Sequence, residues 1–432
     1  MSRRNSELGM MLMAVILTAS AYVLASLGAT AEIPANIVPF LIIVLGLFMG
    51  AHFAVRKLAP ESDPVLLPIV TLLNGLGYVV IAGLNESLAA AQATWTAVGI
   101  AAFVATLWFV KRPRDLERYR YTFALVGIGL LLLPLVPGVG RTINGSRIWV
   151  GFGPISFQPG EIAKVVLAIF FAAYLADNRE LIASSQWKVG PLRLPHPKYL
   201  GPLLLAWGVT LVVMFYQRDL GSSLLFFALF IVMIWVATSR TSFLVIGTSL
   251  FAAGAFIAWN AFSHVKVRVD TWLNPWQDYS GTGYQIIQGT FAIAFGGLTG
   301  TGLGLGGEVR IPLAENDYIF AVIAEELGLL GGSIILMAYL LIVGSGLRIA
   351  SRAQNSFDKL LATGLTLLVG LQAFIIIAGV IRLLPLTGVA MPFISYGGSS
   401  LVVNYVLVAL LLRISDQTSR VEMNRSAGVV HA

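Results

Sequence analysis

The chain has 432 residues, 57% of them hydrophobic and only 11% charged, with a mean hydropathy of +0.84. Soluble domains carry about 25% charged residues, so this balance excludes a water-soluble enzyme and points to an integral membrane protein. The net charge of +7 is spread over many loops, which argues against nucleic-acid binding, and the absence of cysteine excludes disulfides, thiolate nucleophiles and iron–sulfur ligands.

Taken in chain order, the predicted elements are apolar segments long enough to cross, or nearly cross, a hydrocarbon core roughly 30 Å thick. They occupy residues 8–27, 36–55, 64–84, 93–110, 121–137, 162–176, 200–217, 220–238, 243–262, 319–347, 360–381 and 399–412. The expected fold is an all-α polytopic membrane protein of about twelve transmembrane helices, with a large extracellular loop, 263–317, between the ninth and tenth. The sixth segment reads as short, so it is expected either to tilt little or to enter from a partly submerged turn. Arg3 and Arg4 precede the first run, and Ala29-Thr30-Ala31 offers small residues at cleavage-site spacing. That run is about 20 residues, longer than the usual 7–15-residue signal core, so an uncleaved anchor is expected. Residues 1–63 read as an extra N-terminal pair of helices, 64–413 as a core and 414–432 as a cytoplasmic tail.

If the N-terminus is cytoplasmic, most of the 28 lysines and arginines fall on that side, including Arg56, Lys57, the run KRPRDLERYR, Arg348, Arg352 and Arg413. This positive-inside pattern places both termini in the cytoplasm. The histidines His52, His196, His264 and His431 show no metal-ligand spacing, and the glycine-rich run 296–307 lacks the Lys-Ser/Thr of a phosphate loop. Four segments then face outward: 141–161, 217–221, 263–317 and 385–400. All four set polar residues beside spans, and carboxylates kept at a membrane mouth are costly and usually functional.

In RTINGSRIWVGFGPISFQPGEIAK, Glu161 and Lys164 stand three apart at the start of a span and face the same way. The spacing fits a salt bridge that lets both enter the membrane edge, and equally a cation for phosphate oxygens oriented by the glutamate. Arg147 beside Trp149 suits an anionic headgroup at the interface. In QRDLG, Asp219 lies either in a tight turn or in a polar cavity. In WLNPWQDYSGTGYQ, Asp278 precedes a glycine-rich turn: it either caps the helix starting near Gly283 or accepts a proton from a sugar hydroxyl. Asp317 precedes a span and Glu325 follows about 12 Å along it; Glu325 and Glu326 diverge by about 100°. The run LTGVAMPFISYGGSS breaks the helix, and such backbone is tolerated at membrane depth only against protein or water.

Together these residues resemble the SEDS family of shape, elongation, division and sporulation proteins. The matching stretches, NGSRIWVGFGPISFQPGEIAK, RDLGSSLL, WLNPWQDYSGTGYQ, ENDYIFAVIAEELG and LTGVAMPFISYGGSSL, occur in family order between about Pro64 and Arg413. The resemblance implies a peptidoglycan glycosyltransferase that polymerises lipid II at the outer face of the plasma membrane, beside a class B penicillin-binding protein that crosslinks the strand. It places the family's essential aspartate on Asp278, and polar cavity positions on Arg147, Glu161, Lys164, Asp219, Asp317 and Glu325. The chain departs from the common pattern at Gly160, Arg218, Tyr279 and Asn316-Asp317-Tyr318, where the acidic positions survive. The familiar core has ten spans; the extra N-terminal pair, with no division-specific tail, favours the elongation-type RodA branch.

What the resemblance implies for mechanism is inverting transfer, with Asp278 deprotonating the acceptor GlcNAc 4-hydroxyl. Lys164, Arg147 or a divalent cation (Mg2+ or Mn2+) would then stabilise the leaving polyprenyl pyrophosphate, with Glu161 holding Lys164. The rival reading is a lipid II flippase or a scaffold without turnover. Clustering of the acidic positions outside favours chemistry, because alternating access predicts functional groups near the midplane.

Overall fold

The structure is a computed structural model and describes residues 3–34, 37–143, 145–152, 155–184, 187–189, 192–194, 197–306 and 311–429. His196, His431 and Gly307, considered above, lie outside these residues, as do the side chains of Lys188, Arg193 and Lys198. In hydrocarbon every backbone polar group needs an internal partner, so apolar runs close on themselves as helices. The first four are α1 (Arg3–Thr30), α2 (Ile37–Leu58), α3 (Leu66–Leu84) and α4 (Glu86–Phe109). Then come α5 (Arg120–Leu132), α6 (Pro159–Ser184), α7 (Pro197–Tyr216), α8 (Leu220–Thr238) and α9 (Ser242–Ala261). The chain continues through α10 (Ser263–Leu273), α11 (Tyr284–Gly296), α12 (Ile319–Arg352), α13 (Ser356–Val380) and α14 (Gly398–Val429).

Each of the twelve expected segments falls on a helix, but only ten of the described helices are long and apolar enough to cross a membrane. The two that fall short are α5 and α7. Helix α5 has 13 residues and gives way to a 3-10 turn, Leu133–Leu135, at Pro134, which cannot donate to the helix ladder. Helix α7 carries Pro202 inside it and offers a shorter apolar stretch, Leu200–Tyr216. The sixth segment is not short: α6 runs for 26 residues, because the polar stretch Asp177–Glu180 prolongs the helix beyond its apolar part. Strands that periodicity did not announce follow α5. They are β1 (Gly140–Ile143), β2 (Ser146–Phe152) and β3 (Ile155–Phe157), an antiparallel sheet in the order β1-β2-β3; β4 (Trp187–Val189) and β5 (Leu192–Leu194) form a separate hairpin.

The chain divides into two compact units, Met1–Lys111 with Val267–Ser345 and Gln372–Ala432, and Arg112–Lys266 with Gly346–Leu371. In the first, α14 packs along α4 and α1 along α3. Five charged or titratable side chains buried in this unit, Arg4, Glu7, His52, Arg413 and Asp416, have polar partners, which offsets their desolvation. Arg4 bonds Glu7 and the Ser62 carbonyl, His52 Nδ1 lies 2.7 Å from Glu7 Oε1, and Arg413 donates to the carbonyls of Leu58 and Leu107. Asp416 accepts from Glu61 N at 2.9 Å and pairs with Arg420 at 2.9 Å, so α14 is tied to the loop joining α2 and α3. In the second unit α6 packs on α5 and α8, around an aromatic core in which Trp207 stacks on Phe230 and Phe171 meets Phe230 edge-on.

Candidate active site

In the first unit, the long loop between α9 and α12 is ordered by α10, a 3-10 turn over Pro275–Asp278, and α11. Asp278 ends the 3-10 turn with its side chain exposed. Its Oδ2 accepts from Thr282 N at 2.7 Å and Thr282 Oγ1 at 3.0 Å. These donors hold the carboxyl below the usual carboxylate range. Asp278 does not cap α11. The cap position is Gly283, which has no side-chain acceptor, so the carboxylate closes the turn ahead of the helix. A Cβ at Gly281 would collide with the Asp278 carboxylate and one at Gly283 with the Pro275 carbonyl; the two glycines are what let the turn close. Trp276 and Tyr279 lie nearly parallel beside it, centroids 6.3 Å apart, both exposed.

Helix α10 is fastened to the segment after α13. Trp272 Nε1 donates to the Arg382 carbonyl at 2.9 Å and Arg382 Nη2 donates back to the Trp272 carbonyl at 3.1 Å. Arg268 Nη1 donates to the Leu386 and Thr387 carbonyls, each at 3.3 Å. The same segment holds Asp317: Ser395 Oγ donates to the Asn316 carbonyl at 2.6 Å, and Tyr396 N to the Glu315 carbonyl at 2.8 Å. Burial pushes the Asp317 carboxyl up to about 6, with Arg268 opposing the shift and Glu315 adding to it.

A carboxyl raised on folding means that the folded chain holds its proton more tightly than the unfolded chain. The stability it contributes is present in full below the ordinary value of about 4 and is lost as pH rises through about 6. The thermal midpoint of the wild type should therefore fall, relative to that of Asp317→Asn, between about pH 4 and pH 7. Parallel midpoints across that window would show that Asp317 titrates as an ordinary carboxyl.

Glu325 is buried in α12, three residues before the helix breaks at Gly328 (φ +66°). The glycine-rich run lies backbone to backbone along that break. Thr301 N donates to the Glu325 carbonyl at 2.9 Å, Gly302 N to that of Glu326 at 3.0 Å, and Leu329 N to that of Gly297 at 3.0 Å. Glu325 and Glu326 leave the helix in different directions, yet both side chains come beside Gly306.

The second unit contains the other four expected positions. On β2, Arg147 N donates to the Gln217 carbonyl at 3.2 Å, and its guanidinium donates to the carbonyls of Pro134 at 2.9 Å and Val136 at 3.4 Å. This arginine fastens β2 to the 3-10 turn that follows α5, while Gln217 Nε2 donates to the Leu131 carbonyl at the end of α5. Lys164 Nζ and Glu161 Oε1 are 2.6 Å apart, both buried in the first turns of α6. Asp219 is the N-cap of α8, its Oδ1 accepting from Ser222 N at 2.9 Å, and Arg218 ahead of it takes φ +60°. Asp278, Asp317 and Glu325 thus belong to one unit, and Arg147, Glu161, Lys164 and Asp219 to the other. Sequence reasoning missed Arg268, Trp272 and Arg382, whose partners lie more than 100 residues away along the chain. Among the described residues no group of three or more His, Asp or Glu side chains gathers to hold a metal ion.

Comparison with known proteins places these features in a family. A chain named peptidoglycan glycosyltransferase RodA from Mycobacterium tuberculosis is 44% identical over 430 residues, covering 97% of this chain and 92% of the relative. Stage V sporulation protein E of Bacillus subtilis is 36% identical, over 66% of this chain and 76% of its own. A solved structure described as a peptidoglycan synthase complex coordinating polymerization and crosslinking matches with a TM-score of 0.69 at 26% identity, over 83% of this chain and 98% of that one. The rod shape determining protein RodA of Thermus thermophilus matches with a TM-score of 0.58 at 25% identity, over 82% and 96%. The model of the FtsW/RodA/SpoVE family, described as cell cycle protein, matches residues 65–420, and the chain belongs to that family.

Proposed function

We propose that this chain is a peptidoglycan glycosyltransferase of the elongation type, polymerising lipid II into glycan strands at the outer face of the plasma membrane. The observation that carries the reading is its 44% identity, over 97% of its length, to relatives named peptidoglycan glycosyltransferase RodA. Asp278 is the general base. Its carboxylate is ionised at neutral pH and exposed at a fixed turn, and it accepts the proton of the acceptor GlcNAc 4-hydroxyl as that oxygen bonds to the donor's anomeric carbon. The bond from that carbon to the polyprenyl pyrophosphate breaks with inversion. Charge developing on the leaving pyrophosphate needs a preorganised cation. Lys164 is the better candidate, because Arg147 already holds two backbone carbonyls and Glu161 orients the lysine. The exposed Trp276 and Tyr279 offer an aromatic face for a sugar ring beside the base. Asp317 and Glu325 line the substrate path, and Asp219 contributes by setting the start of α8.

Both termini lie in the cytoplasm, residues 1–63 form a pair added to a core over 64–413, and 414–432 form a tail that begins as a continuation of α14, with Asp416 tied to the loop joining α2 and α3. A class B penicillin-binding protein is the expected partner, since a structural neighbour is a complex that couples polymerization to crosslinking. A magnesium ion held by one or two carboxylates and the substrate's own phosphates would supply positive charge at the leaving group. The test is strand formation from lipid II by the purified full chain in vesicles, with and without its transpeptidase. Strands in either condition support the reading. No strands in both, with lipid II moved between leaflets, would replace it with a flippase.

A further inference from the structure

Helices α2, α3 and α4 enclose a cavity of about 500 Å3 that the proposed chemistry does not use. Phe40, Ile43 and Leu47 of α2 line it opposite Ala93 and Ala97 of α4. Its α2 wall precedes residue 65, where the family match begins, so the cavity forms between the added N-terminal pair and the family core. Ile43 is both a lining residue and half exposed, beside the exposed Ile42, so the cavity opens onto the apolar face that α2 turns outward. All three helices are long and apolar enough to span a membrane, which makes that face a lipid-facing one.

The threonines and the asparagine of the lining are already engaged, and the Tyr78 ring is stacked on Phe40. Thr94 Oγ1 donates to the Ala90 carbonyl at 3.0 Å, and Thr96 Oγ1 donates to the Gln92 carbonyl at 2.9 Å and lies 3.2 Å from Asn74 Oδ1. Asn74 Nδ2 donates in turn to the Phe393 carbonyl at 3.4 Å. A buried water needs two to four polar partners, and a headgroup needs several free donors or cations; the Tyr78 hydroxyl alone does not reach that number. An apolar occupant satisfies it. At roughly 30 Å3 for a water-sized group in a liquid, the cavity takes about 17 methylene-sized groups, the size of one acyl chain and much less than a polyprenyl tail.

We propose that the cavity between α2, α3 and α4 binds one acyl chain of a bilayer phospholipid, which completes the packing of the N-terminal pair against the core. The bound chain lies against the Asn74–Thr96 pair, and through Asn74 it borders the Phe393 turn. That turn continues into Ser395, which holds Asn316 beside Asp317.

The full chain would be reconstituted in phosphatidylcholine–phosphatidylglycerol vesicles doped with phosphatidylcholine carrying a diazirine on its acyl chain, irradiated and mapped by peptide mass spectrometry. Adducts at Ile43, Leu47, Ala93 and Ala97 should exceed those at the exposed Ile42 and Val245, and should be competed by unlabelled phosphatidylcholine. Ala93→Phe with Ala97→Phe should abolish them while leaving adducts at Val245 unchanged. Adducts no more frequent at lining positions than at Ile42 and Val245 in the wild type overturn the proposal, whatever the double variant does. In a second arm with photoactivatable polyprenyl phosphate, labelling of the lining by the prenyl probe in place of the acyl probe would also overturn it and assign the cavity to substrate tails. Neither arm requires turnover, so failure here is distinguishable from failure of the glycosyltransferase reading.

Discussion

Replacing Asp278 with Asn is expected to slow glycan strand formation by about 10²- to 10⁴-fold, the range over which a positioned general base acts, while folding is unchanged. Asn keeps an oxygen that accepts from Thr282 N and Thr282 Oγ1, and it keeps the volume that Gly281 accommodates, so the turn before α11 should close as in the wild type. What it loses is the capacity to take a proton. Polymerised product from lipid II, followed by electrophoresis together with the thermal midpoint, separates the two effects. An unchanged midpoint with full activity would remove Asp278 from the role of base. The pH profile adds a second discrimination. A base works ionised, so its contribution is lost only as pH falls through its folded-state value, which Thr282 holds below the usual carboxylate range. Asp317, pushed up to about 6, titrates well above it. An acid limb near pH 6 is therefore not that of Asp278; if Asp317 causes it, the limb disappears in Asp317→Asn with Asp278 intact, and a limb that persists there excludes Asp317.

These two carboxyls also mark how far the sequence could be read. Asp278 stood out because its neighbours in the chain, the aromatics and Gly281, are also its neighbours in space, and a local turn leaves a local signature. The apolar segments were legible for a similar reason, since a helix in hydrocarbon satisfies its backbone within itself. Where long-range contacts decide, legibility fails. Nothing near Arg268 announces that its guanidinium will reach the Leu386 and Thr387 carbonyls, or that it will oppose the burial of Asp317. The sheet β1-β2-β3 was hidden because short strands at a membrane edge need no regular alternation, and β2 also bonds outside the sheet, Arg147 N to the distant Gln217 carbonyl. The end of α5 could have been found from Pro134 alone. The cap of α8 was legible too, since Asp219 followed by a helical run is the ordinary signal for it.

Lys164→Ala is expected to destabilise the chain by about 3–5 kcal/mol, because it leaves Glu161 as an unpaired charge in a buried site. It should also stop polymerisation, but loss of activity in an unstable variant does not distinguish a structural cation from one that meets pyrophosphate. Replacing both partners, Glu161→Gln with Lys164→Met, does. Removing a buried ion pair as a unit is often close to neutral for stability, so the double variant should recover most of the thermal midpoint lost in Lys164→Ala. If Lys164 stabilises the leaving group, the double variant folds and still fails to make strands, since methionine offers no donor where charge develops. If it folds and polymerises at the wild-type rate, the pair serves only to carry two charges into the membrane edge at the start of α6, and the cation for the pyrophosphate has to be sought elsewhere. Lys164→Arg sharpens the distinction. It keeps the charge and the pairing with Glu161 but replaces a compact ammonium with a planar fork, so a structural role tolerates it better than a leaving-group contact does.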